Sequence, residues 1–219
     1  MNNYRLSSLF AIPLMEFQYD EVSKLDHSTI EDILNRTEKN ISNHTSKDTY
    51  ILDKHLTNLR KFFESCIQTY VEKVIVGDVY DRSKLNFQIT QSWLNKTKPG
   101  ESHHTHNHAN SFISGVFYIK ADSSLDNIRF YNDITSYETI KIDGKKFNKF
   151  NSSSWSLPVQ TGRLILFPSY LSHGVDTTKG DNDRISLSFN VFPFGVFGSK
   201  QEANELCISK VALTAPSIG

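Results

Sequence analysis

Four of the chain's eight histidines fall between residues 103 and 108, in the run Pro99-Gly100-Glu101-Ser102-His103-His104-Thr105-His106-Asn107-His108. Imidazoles at this density point first to a metal. Side chains two apart at a strand end face the same side, so His106 and His108 can grip one ion together. A third ligand, His173, closes the run Gly162-Arg163-Leu164-Ile165-Leu166-Phe167-Pro168-Ser169-Tyr170-Leu171-Ser172-His173, which reads as an apolar strand ending in a turn. Three ligands on one face leave coordination positions open, as a catalytic iron needs if it is to take a cosubstrate and dioxygen together. Neutral imidazole suits iron, zinc, copper and nickel alike, so the ligand set alone does not choose the metal. Arg184 and Ser186 follow on the next strand-like run.

The elements that must hold these residues are helices first and strands afterwards. Residues 9–19 read as an edge strand, because Pro13 would interrupt a central one. Ser28-Thr29-Ile30-Glu31 has the spacing of a capping box and opens a helix toward Glu38. A longer helix is expected from Leu52 to about Val76, where Leu56, Leu59, Phe63, Ile67, Tyr70 and Val74 recur at helical spacing as core positions. From Asn86 onward the pattern turns to β, with strands expected over 87–94, 112–119, 127–131, 164–167 and 185–192. Asp143-Gly144 is a hairpin signal, so 133–158 reads as an insertion in the β core, either a flap over a substrate or a plain surface hairpin. The expected organisation is a single domain: an N-terminal strand and helices over 1–85, a β core over 86–198, and a tail over 199–219 with a short amphipathic stretch at most.

Composition sets the outer bounds. A chain of 219 residues with 38% apolar content can fill one sizeable interior. Lysine plus arginine equals aspartate plus glutamate at 24 each, so no basic field would draw nucleic acid or anionic lipid. Cys66 and Cys207 stand far apart without a CxxC, which fits a reducing compartment. The N-terminus lacks a signal peptide's apolar core, and no later run is long enough to span a bilayer. The expectation is a soluble, cytoplasmic protein with no nucleic-acid or membrane partner.

An antiparallel β core after helices, with histidines at strand ends, follows the logic of a double-stranded β-helix, a cupin-like jelly roll with its metal inside the open end. The fold class expected is therefore mainly β with N-terminal helices. Residues 100–119, 162–175 and Arg184-Ile185-Ser186-Leu187-Ser188-Phe189-Asn190 resemble the 2-oxoglutarate/Fe(II)-dependent oxygenases of phages and bacteria, relatives of the prolyl 4-hydroxylases. The likeness covers about residues 86–192. In that superfamily a glycine stands six residues before the first metal histidine, which selects His106 from Gly100. The H-x-D/E motif that follows would put an acid where this chain has His108. A subfamily with HxH followed by a Ser-Gly-Val-Tyr-Tyr-like strand is similar to His106-Asn107-His108 followed by Ser114-Gly115-Val116-Phe117-Tyr118.

The resemblance implies Fe(II) held by His106, His108 and His173, with 2-oxoglutarate as cosubstrate and O2 as oxidant. Members place a basic residue about ten positions after the third ligand to pair with the far carboxylate of 2-oxoglutarate, and here that is Arg184. A guanidinium fork matches a carboxylate bidentately, and Ser186 on the same strand face can add a hydrogen bond. Ser188 and Asn190 continue that face. Tyr118 resembles the tyrosine that contacts this carboxylate in prolyl hydroxylases. The implied activity is a dioxygenase, a hydroxylase, that couples decarboxylation of 2-oxoglutarate to succinate with oxidation of a prime substrate. That substrate, whether peptide, protein or small molecule, is not readable from the chain, and a phage-encoded protein would act in the host cytoplasm. With three histidines the iron carries one more positive charge than with two histidines and a carboxylate.

Plainer readings compete at each position. His103 and His104 read as surface turn residues or as neighbours of the ligands. Arg184 could instead pair with Asp181 or Asp183, and Trp93 reads as a core tryptophan. The aromatic run at 192–197 packs on the helices or on a second subunit, which leaves a homodimer open. A cupin-type metalloenzyme without 2-oxoglutarate shares the glycine and histidine spacing, but would add a glutamate ligand soon after His108, and residues 109–116 contain no acid. A non-catalytic metal-binding jelly roll is the third reading.

Overall fold

The computed structural model describes residues 5, 7, 10–77, 84–132 and 146–209. Strand β1 (Met15–Gln18) follows Pro13 and lies at a sheet edge, where a missing proline N–H costs no ladder bond. Helix α1 (His27–Leu34) starts two residues earlier than the Ser28 capping box predicts. Its cap is Asp26, whose carboxylate accepts from the Thr29 amide at 3.0 Å and from the Ser28 and Thr29 hydroxyls at 2.6 and 2.7 Å. A carboxylate outcompetes the serine hydroxyl for the free N–H groups of the first turn. Nor does the helix reach Glu38, which begins the short strand β2 (Glu38–Lys39) paired to β3 (His44–Thr45).

The single long helix expected from Leu52 is broken in two. Helix α2 (Ile51–Lys54) ends at His55, Leu56 leaves helical geometry with its side chain buried, and α3 (Thr57–Tyr70) then runs into a wider turn over Val71–Ile75. The apolar periodicity survives the break, because Leu56, Leu59, Phe63, Ile67 and Tyr70 all enter one core.

Strands β4 (Leu85–Thr97), β5 (His103–His106), β6 (Ile113–Lys120), β7 (Asn127–Tyr131), β8 (Ser154–Pro158), β9 (Arg163–Pro168), β10 (His173–Val175), β11 (Arg184–Phe197) and β12 (Leu206–Ile208) form two antiparallel sheets. The larger has the order β1-β9-β6-β11-β4-β3-β2, with β12 on β11; the smaller runs β5-β10-β7-β8. This mostly β, antiparallel arrangement is the double-stranded β-helix that the alternation in the sequence anticipates. The tail expected to be weakly amphipathic contributes β12 instead. The Asp143-Gly144 hairpin lies outside the described residues; of the 133–158 insertion, 154–158 is strand β8 on β7. No helix among the described residues is long and apolar enough to cross a membrane.

Period-two alternation splits the large sheet into two faces. Phe117, Ile119, Leu164, Leu166, Leu187, Phe189 and Val191 meet the helices. Val116, Tyr118, Ile165 and Phe167 face the small sheet, with Ile128 and Phe130 opposite. Buried on both faces from Ile113 to Ile119, β6 reads as a largely apolar run rather than an alternating one. Gly115 allows a close contact here: a Cβ there would fall 2.1 Å from the Phe189 ring, which stacks on Phe63 at 4.9 Å between centroids. The helices thus clamp the back of the large sheet and leave its front free for polar side chains.

Candidate metal and carboxylate site

Those polar side chains come from β11 and β4. On β11 the residues that alternate with Leu187, Phe189 and Val191 are Arg184, Ser186, Ser188 and Asn190, and they face the small sheet. Trp93, Asn95 and Thr97 of β4 sit across from them in register. From the other side, β10 is held between β5 and β7, with His173 opposite both His106 and Phe130. A narrow cavity of about 30 Å³ between the sheets is lined by His103, His106, His108, His173, Tyr118, Arg184, Ser186 and Ser188. Every residue singled out in the sequence as a ligand or clamp therefore lies on this one cavity.

The three expected ligands offer nitrogen atoms within 4.8 Å of one another. Each ring is oriented through Nδ1. That of His106 lies 2.8 Å from the His104 carbonyl, that of His173 3.0 Å from the Leu171 carbonyl, and that of His108 2.6 Å from the Asn190 side-chain oxygen. Carbonyl oxygens only accept, so Nδ1 donates in all three and the Nε2 lone pairs remain for a metal. Burial is the main cause holding these imidazoles below the usual histidine range, to about 3 for His173, where the neighbouring histidines add to it. They are neutral and able to coordinate at pH 7.

Arg184 lines the same cavity and is 2% exposed. Nη1 donates to the Asn127 carbonyl at 3.4 Å and Nη2 to the Thr97 hydroxyl at 3.3 Å, both long, while Nε is buried without a partner. Among the described residues it has no ion pair: Asp183, one alternative partner, bonds Lys96 at 2.8 Å. Burial pulls its pKa below the ordinary arginine value, yet a guanidinium stays protonated in proteins. A buried, unpaired cation with an unsatisfied donor is costly, and a carboxylate ligand would relieve it. Burial pushes the Tyr118 hydroxyl well above the usual phenol range, leaving a neutral donor on the same wall. Ser188 accepts from the Asn95 amide at 3.1 Å. No acidic side chain lines the cavity among the described residues.

Of the two readings of His103 and His104, the structure gives neighbours of the expected ligands: both are strand residues of β5, and His103 lines the cavity. His106 pairs with His173 and His103 with Val175, so three steps on β5 match two on β10. This bulge turns His103 to the same side as His106, whereas strict alternation would oppose them. Gly174 permits the close approach, since a Cβ there would lie 3.1 Å from the His103 carbonyl. Trp93 is not core: it is half-buried on the cavity wall, 5.6 Å from the His108 ring. Asn190, seen in the sequence only as continuing a strand face, is the residue that orients His108. Beside the cavity a groove of about 460 Å³ is bordered by Phe130, Trp155, Leu157 and Leu171.

Residues 91–190 match the model of the family described as "Putative 2OG-Fe(II) oxygenase", where 2OG is 2-oxoglutarate. The matched segment contains every residue of the cavity named above. No curated protein matches the chain. Among solved structures, HygX from Streptomyces hygroscopicus with nickel and 2-oxoglutarate bound is similar at a TM-score of 0.57 and 10% identity, over 82% of each chain. A prolyl-4-hydroxylase of Pseudomonas putida is similar at 0.54 and 12%, over 82% of this chain and 92% of the other. A 2OG-Fe(II) oxygenase family protein of Burkholderia pseudomallei is similar at 0.52 and 12%, over 81% and 83%. At these identities the likeness is one of fold.

Proposed function

With residues 91–190 belonging to the 2OG-Fe(II) oxygenase family, we propose that His106, His108 and His173 hold its Fe(II) and that Arg184 clamps its 2-oxoglutarate. The chain is a 2-oxoglutarate/Fe(II)-dependent oxygenase. The observation that carries the assignment of residues is the pairing of three Nε2 atoms freed for a metal with an unpartnered buried guanidinium in the same cavity. When bound, iron and cosubstrate supply coupled oxidation: dioxygen, 2-oxoglutarate and a substrate C–H become succinate, carbon dioxide and a hydroxylated product.

The protein's own work is to orient and to exclude. The His104 and Leu171 carbonyls and the Asn190 amide fix the three imidazole planes. Arg184 would hold the far carboxylate, and the Ser186 and Tyr118 hydroxyls would donate to the same group. Ser188 holds Asn95 on the opposite strand and so shapes the cavity floor. The apolar wall of Val116, Ile128 and Phe167 keeps bulk water from the reacting centre. Residues 86–198 are taken as the oxygenase core and 1–85 as its packed support.

The test is anaerobic titration of the Fe(II)-loaded protein with 2-oxoglutarate, following the visible charge-transfer band. Arg184→Ala is expected to weaken cosubstrate binding about 10- to 100-fold, the range for hydrogen bonds to a charged group, without loss of iron. A band of unchanged affinity in the variant would remove Arg184 from the site.

A further inference from the structure

The strand that supplies His106 carries a second set of imidazoles, and we propose that His103, His104 and His106 form a second position for a borderline divalent cation such as Zn²⁺. Their nitrogen atoms also lie within 4.8 Å of one another. The two triangles are close in size. Ring centroids in the second are 5.2, 4.7 and 5.0 Å apart, against 5.1, 4.4 and 5.2 Å among His106, His108 and His173. A regular strand could not build it, because adjacent residues face opposite ways; the bulge opposite Gly174 is what gathers the three rings. His104 points to a ligand independently: its Nδ1 is buried without a hydrogen-bond partner. A metal would satisfy a buried imidazole nitrogen in that state, and three imidazole nitrogens suit zinc, copper or nickel.

The two positions exclude each other, a consequence that rests on the iron reading above. His106 spends Nδ1 on the His104 carbonyl, which leaves one nitrogen for either ion. A cation on the second triad withdraws His106 from the iron position. It also stands beside His103 on the wall of the cavity that Arg184 lines. Zinc and copper lie above Fe(II) in the general order of divalent affinity, so this position makes the enzyme sensitive to them.

The experiment uses the full chain, stripped of metal, with Co²⁺ as a visible probe and Zn²⁺ in competition with a chromophoric chelator. His108→Ala/His173→Ala dismantles the first triad and leaves the second whole. This variant is expected to bind one ion, and adding His104→Ala is expected to weaken that binding at least about tenfold, since a lost ligand costs no less than a lost supporting residue. Because the bond that orients His106 uses the main chain of His104, the added substitution does not disturb it. A double variant that folds by circular dichroism and binds nothing overturns the proposal, as does a triple variant that binds equally well. If the double variant does not fold, His104→Ala alone decides. Displacement of Fe(II) from it should need at least about tenfold more Zn²⁺ than from the unmodified protein, and an unchanged requirement overturns the proposal. Failure of the iron reading would appear elsewhere, as undiminished Fe(II) affinity in His173→Ala.

Discussion

The two sheets of this protein do different work. The large sheet is broad and backed by helices: β4 and β11 pair over most of their length, and the rear face closes on a core that includes Phe63, Phe117 and Phe189. The small sheet is short-stranded, and its β5–β10 pair, carrying His103, His106 and His173, is bulged. Stability and register reside in the first, and the reach of the ligands in the second. The clamp proposed at Arg184 needs a fixed address, and its strand β11 is central, paired to β4 and β6. Metal ligands need convergence from several directions, and a bulge re-aims a side chain that strict alternation would turn away.

Substitutions should separate these two roles. The largest effect is expected from His173→Ala, which removes a ligand from the small sheet: Fe(II) affinity should fall by more than about 100-fold, beyond the range for residues that merely support a ligand. Isothermal titration under anaerobic conditions would measure it, and the melting temperature should move little. Phe189→Ala attacks the large sheet instead. Its ring lies over Gly115 and stacks on Phe63, so a cost of about 3–5 kcal/mol is expected in denaturant unfolding, with iron affinity per folded molecule kept. If that variant lost iron before it lost structure, the division of labour would be wrong.

Asn190→Ala tests a contact between the large sheet and the histidine cluster, since Asn190 belongs to β11 and orients His108. Metal affinity is expected to fall about 10- to 100-fold while unfolding barely changes. The smallest effect lies at the periphery. Asp26 caps α1, and hydrogen bonds from Ser28 and then Thr29 lower its carboxyl from 3.8 to about 2. A depressed folded pKa stabilises above the unfolded value and is lost as pH falls through the folded one. Asp26→Ala should therefore lower the melting temperature by a few degrees at pH 7. The gap to the unmodified protein should close between about pH 4 and pH 2.

Much of the large sheet was legible because its signal is local. Alternation over Ile185 to Val191 separates Leu187, Phe189 and Val191 from Ser186, Ser188 and Asn190 without reference to any other strand. The helical spacing from Leu56 to Tyr70 likewise marks one apolar stripe, though it was silent about the break at His55. The helix start was misread because Ser28 and Asp26 are both good caps, and only the folded turn decides which oxygen the Thr29 amide takes.

By itself, then, the chain determined which residues share a strand or helix face, because periods of two and 3.6 are properties of consecutive residues, whereas the roles proposed for His106, His108, His173 and Arg184 rest on the family resemblance. Tertiary structure decided what those residues meet. His108 finds Asn190 across 82 positions, Arg184 has no ion pair among the described residues while Asp183 turns to Lys96, and His103 joins the cavity only because β5 must accommodate one residue more than β10. Each of these depends on register between strands far apart in sequence, and register is set by the packing of whole sheets, which no window of neighbouring residues contains.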